Sequence, residues 1–178
     1  MDSGWVAAIA SLASAFIVAV TAIAAFRQLR HNRNANDIVV YLRIIDRLDS
    51  PATVEARASL AVIAQKVQSD PAYRERLRDP QFRPAEFLEV AMLLGFLEHI
   101  SVLITKGGVA EALVLAEYAD TFVAIWEQMR PTIIERRIAF GPHTGRAFEH
   151  LAMRSRRYIE SGAMEREYAA LERDPTPA

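Results

Sequence analysis

The sequence predicts an all-α protein: an N-terminal transmembrane helix followed by a cytoplasmic helical bundle. Three observations carry this. Trp5 to Phe26 is a run of 22 residues without a charge. Only seven Gly and eight Pro occur in 178 residues, and no alternating polar–apolar stretch stands out as a strand. Over much of the remaining chain, apolar residues recur at the three- and four-residue spacing of a helix with a buried face.

The first element is the uncharged run, WVAAIASLASAFIVAVTAIAAF. As a helix it is roughly 33 Å long, close to the hydrocarbon thickness of a bilayer. The preceding flank has no Lys or Arg, whereas Arg27, Arg30 and Arg33 follow the run. Positive charge stays on the cytoplasmic side, which places the N-terminus outside and residues 27–178 inside. Trp5 suits the outer interface. A cleaved signal peptide would want a positive n-region, absent here, although Ala22 and Ala24 form a small-residue pair that could be cut. A helix lying on the surface would need a polar face that this run lacks. Ala7, Ser11, Ala15 and Ala19 recur every four residues, a stripe that lets two such helices approach closely as a homo-oligomer.

No Gly or Pro occurs between Trp5 and Ser50, so the helix is expected to continue to about Leu48. Ile38, Tyr41, Leu42, Ile45 and Leu48 mark its apolar face. Ser50-Pro51 reads as an N-cap with Pro in the first turn. It opens a second helix to about Ser69 that buries Val54, Leu60, Ile63, Ala64 and Val67. Asp70-Pro71 repeats the signal for a short third helix, and Asp79 to Pro84 is a polar connection. Ala85 to about Lys106 is apolar on two sides, Phe87, Ala91, Leu94 and Val102 on one and Leu93, Phe96, Leu97, Ile100 and Ile104 on the other. That pattern predicts a central helix. Gly107-Gly108 ends it. A helix from about Ala110 to Met129 is expected to stop at Pro131, with a short helical segment from there to near Gly141. His143 to about Ser161 forms the next, with Phe148, Leu151, Ala152, Tyr158 and Ile159 apolar, and Ala163 to Arg173 a short last one. The domains are thus the flank and transmembrane helix (1–26), a juxtamembrane helix (27–50), the bundle (51–173) and a disordered tail (174–178).

Outside the run the charge balances: 21 Lys and Arg face 21 Asp and Glu, only Asp2 preceding it. That argues against nucleic acid as a partner, which asks for a basic surface. The absence of Cys removes disulfides, thiol catalysis and Cys-type zinc sites. The HExxH pattern is missing, and His143 and His150 alone make no metal site, so neither metal nor cofactor is expected. No phosphate-binding Gly loop, GxSxG or calcium loop occurs. Trp126 falls at core spacing with Phe122 and Met129. Arg146, Arg154, Arg156 and Arg157 make one helix basic, for lipid headgroups or for local Glu partners.

Glu98 is the residue to question. It lies between Leu94 and Val102 on one helix face, and a carboxylate there needs a partner. Arg130, Arg136 and Arg137 are the candidates. Arg137 is the first choice, because a guanidinium fork satisfies both carboxylate oxygens. A structural ion pair is expected there, with a site acid as the alternative.

Three segments, FLEHISVLITKGGV, IWEQMRPTIIERR and AFEHLAMRSRR, occur in that order after the apolar run. The chain thereby resembles an uncharacterised bacterial family of single-pass, membrane-anchored helical proteins. The resemblance implies fold and a place in the bacterial inner membrane, and no activity. Together with the lack of catalytic motifs it leads to a membrane-tethered interaction or scaffold module, with the lipid bilayer and an unidentified protein as partners. A membrane-associated sensor or effector of stress or phage-defence type is the alternative; an enzyme using Glu98 stands third.

Overall fold

The computed structural model describes residues 3–166 and 169, with side chains for all of these except 3–15, 33, 34 and 86. The expectations for Trp5, Arg33 and the Ala7, Ser11 and Ala15 positions of the stripe therefore lie outside the described side chains. The tail at 174–178 lies outside the described residues, as does most of the last helix, of which 163–166 are helical. Six helices and no strand are present among the described residues: α1 (Ser3–Leu48), α2 (Pro51–Ser69), α3 (Pro71–Leu77), α4 (Ala85–Thr105), α5 (Glu111–Phe140) and α6 (Arg146–Glu160).

Two compact units divide within α1, Met1–Val39 and Val40–Ala178. In the first, the described large apolar residues are all exposed, among them Phe16, Ile17, Val18, Ile23 and Phe26. α1 is helical across 31–37 despite the three Asn there, as the lack of Gly and Pro predicts.

In the second unit, α2 packs on α4 and α5, and α6 packs on the same two helices. These four form a ring in which α4 and α5 stand diagonally, and short α3 leans on α2 and α5. The core holds Leu60, Ile63, Leu97, Ile100, Phe122, Ile125, Met129, Phe148 and Leu151, all essentially sealed from solvent. Each stabilises the fold by about 1.5–3 kcal/mol relative to an exposed position. Trp126 belongs to this core, its ring edge-on to Phe148 at 5.8 Å.

Local signals explain the starts. The Ser50 hydroxyl accepts from the Thr53 amide at 3.4 Å, and Asp70 Oδ1 accepts from Ala72 and Tyr73 amides at 2.9 and 3.0 Å. Each cap precedes a Pro whose missing N–H would have had no helical partner anyway.

Four expectations change. Val54 is exposed, and Thr53 and Ala56 take the inner positions beside Leu60. In α1, Leu48 is buried and Tyr41 and Ile45 pack on the core as expected, but Ile38 and Leu42 are exposed and Ile44 takes an inner position instead, so the buried face is turned in part. α4 buries one side only: Val90, Leu93, Leu97, Ile100 and Ile104 are inside, whereas Ala91 and Val102 are exposed and Phe87 and Leu94 half-buried. Finally, α5 passes straight through Pro131. Pro removes one backbone bond there. Trp126 and Met129 before it and Thr132, Ile133 and Arg136 after it are all buried, and packing on both sides holds the helix together.

By length and hydropathy alone Phe87–Thr105 could cross a bilayer, and among the described residues it is the helix that could. A core helix passes the same test, and α4 supplies five residues to the bundle core.

Candidate functional site

A groove of about 240 Å³ opens between α4 and the second half of α5. Phe87, Val90, Ala91, Leu94, Gly95 and Glu98 line it from α4, and Met129, Thr132, Ile133, Arg136 and Phe140 from α5, with Thr144 beyond. It exists because these two helices are diagonal in the ring and do not close on each other. Its walls are apolar except for four side chains: Arg136, Thr132, Glu98 and Thr144.

Arg136 is 5 % exposed. One of its terminal nitrogens, Nη1, donates to the carbonyl oxygens of Leu77, Asp79 and Phe82 at 3.2, 3.3 and 3.2 Å, closing the end of α3. The guanidinium also rests on two rings, 4.5 Å from the centroid of Phe87 and 4.6 Å from that of Phe140. No carboxylate pairs with it among the described residues. Burial, and then the nearby charge of Arg83, lower its pKa. Thr132 is one turn earlier on the same helix; its hydroxyl is buried and lacks a hydrogen-bond partner.

Glu98 is half-buried at the far end of the groove. Burial pushes its carboxyl above the ordinary range, while the backbone amides of Gly145 and Ala147 and the charge of Arg137 pull it back. The direct Glu98–Arg137 pair expected from the sequence gives way to another arrangement. Arg137 donates from Nη2 to Glu149 Oε2 at 2.7 Å and from Nε to the Thr144 carbonyl at 2.9 Å. Arg130 is exposed. Arg136 and Arg137 are adjacent on one helix and point about 100° apart, so they serve different neighbours. Gly145 makes the turn beside Glu98. Its φ is +70°, and a Cβ there would lie 2.9 Å from Ile133 Cγ2.

The other charged candidates are elsewhere. Arg154 pairs with Glu111 and Arg156 with Glu127, so half of the basic run on α6 is neutralised within the bundle. His99, His143 and His150 are exposed, and no cluster of three His, Cys, Asp or Glu that could hold a metal occurs among the described residues. Where α1 meets the bundle, Tyr41 donates to Glu117, and Tyr118 donates to Asp49 at 3.3 Å. Burial and these carboxylates raise both phenols to about 12.

The sequence model of a family described as a domain of unknown function, DUF4760, matches residues 15–155. The chain belongs to the DUF4760 family. The match spans the second half of the uncharged run, all of α2 to α5 and α6 as far as Ser155, so both sides of the groove belong to the DUF4760 domain. No curated protein and no solved structure matches the chain. Of the polar groups in the groove, the sequence singled out Glu98 and Arg136 but missed Thr132 and Thr144. Phe87 and Phe140 were legible only as apolar residues, because their stacking on Arg136 depends on how α4 meets α5.

Proposed function

We propose that this DUF4760 protein is a membrane-tethered interaction module. Residues 5–26 cross the inner membrane of a bacterium with the N-terminus outside, and the bundle works in the cytoplasm on a partner protein. One observation carries the tether: Phe16, Ile17, Val18, Val20, Ile23 and Phe26 are all exposed, as is every described side chain from 16 to 26. Removing six such side chains from water is worth on the order of 10 kcal/mol, and a bilayer is the medium that does it along the whole length. Arg27 and Arg30, also exposed, follow directly and supply the orientation. On the bundle, Leu88, Met92 and Val102 leave the outer side of α4 apolar, a surface suited to a protein partner.

Extraction of native membranes at alkaline pH tests the tether; the full chain should stay in the pellet, and release into the supernatant would contradict it. Cross-linking from a Met92→Cys variant in the same membranes tests the module. A discrete adduct with another protein is expected, and recovery of the chain alone would count against it.

The groove at Arg136 favours a second reading, a membrane-associated sensor in which a small ligand sets the state of the bundle.

A further inference from the structure

Two cavities meet at Arg136. The groove between α4 and α5 is one; the other, about 310 Å³, lies beneath Arg83, Pro84 and Leu88. Phe87, Ala91 and Arg136 line both. Since Nη1 is committed to three carbonyl oxygens, the Nε and Nη2 side of the guanidinium has no hydrogen-bond partner in the described protein. Neither nitrogen is among the sealed atoms without a partner, and Arg136 lines both cavities. An unpaired planar fork with apolar walls around it matches one chemistry, a carboxylate carried on hydrocarbon. Arg83 adds a second positive charge on that side.

We propose that the groove binds a free monocarboxylic acid with a short linear tail, its carboxylate on the Nε–Nη2 edge of Arg136 and its tail along Ala91, Leu94, Met129 and Ile133. Glu98 closes the far end and fixes the direction, because a second carboxylate would meet it there. Phe87 to Leu94 covers about 10 Å of α4, room for a chain on the order of decanoate. The proposal rests on the groove and not on the membrane reading.

The full chain in nanodiscs of zwitterionic phosphatidylcholine is titrated with carboxyl-13C decanoate, with empty discs subtracted. Saturable one-to-one binding is expected, with decan-1-ol at least about tenfold weaker. Gly95 lines the groove, and a Cβ added there would meet only open space, so Gly95→Leu fills the groove while leaving the Arg136 contacts alone. That variant should melt no lower than the parent and lose the saturable signal. Arg136→Lys keeps the charge but not the fork and should weaken binding about tenfold. Equal binding by parent and Gly95→Leu, or by decanoate and decan-1-ol, would overturn the proposal. Competition by phosphatidic acid built into the disc would overturn the choice of a free acid and make a lipid headgroup the occupant.

Discussion

Arg137 and Glu149 join α5 to α6 across a 2.7 Å ion pair, and the same guanidinium holds the Thr144 carbonyl in the turn between them. Both side chains are only partly exposed. The turn this pair braces is the one that presents its backbone amides to Glu98.

From this geometry Glu149→Ala should destabilise the bundle by about 1–2 kcal/mol, read from chemical denaturation. Glu98→Gln should be neutral or stabilising at pH 7. Burial raises the Glu98 carboxyl above its ordinary 4.5, so the folded state holds its proton longer than the unfolded chain does. The associated stability is present below that value and is lost as pH rises through the raised one. Glu98→Gln should remove this decline, and a parent-like decline in the variant would show that another group causes it.

Tyr41 and Tyr118 should make the bundle alkali-sensitive. Both folded phenols ionise near 12 rather than 10. Between these values the unfolded chain has lost protons that the folded one keeps, and stability falls as pH rises. Thermal melts from about pH 9 to about pH 11.5 should show the fall, and Tyr118→Phe should flatten it.

Two glycines should respond in opposite ways. Gly145→Ala meets both a left-handed backbone and Ile133, and should cost about 2–3 kcal/mol. Gly95→Ala adds a Cβ in open space inside α4 and should gain about 0.5–1 kcal/mol. Denaturant midpoints with unchanged slopes would establish both.

The helices were legible because their signals are local. Ser50-Pro51 and Asp70-Pro71 need only neighbours within three residues to act. Pro131 misled for the opposite reason: its local effect is to break a helix, and the burial of Trp126 and Ile133 that outweighs it depends on α6 and the rest of the bundle. Glu98 was recognisable as a carboxylate needing partners. Those partners are backbone amides at Gly145 and Ala147, groups nearly every residue carries and no sequence pattern marks. Arg136 was legible only as a candidate partner for Glu98; the carbonyls of Leu77, Asp79 and Phe82 that hold it instead are equally unmarked.

The proposed tether and its direction can be read by labelling, since the chain has no Cys to complicate it. One Cys is placed at Ser3 in one variant and after Ala178 in another, and intact cells are treated with a membrane-impermeant maleimide. Labelling at position 3 in intact cells, and after Ala178 only once the inner membrane is permeabilised, is the predicted result. Labelling after Ala178 in intact cells, with position 3 protected, would contradict it.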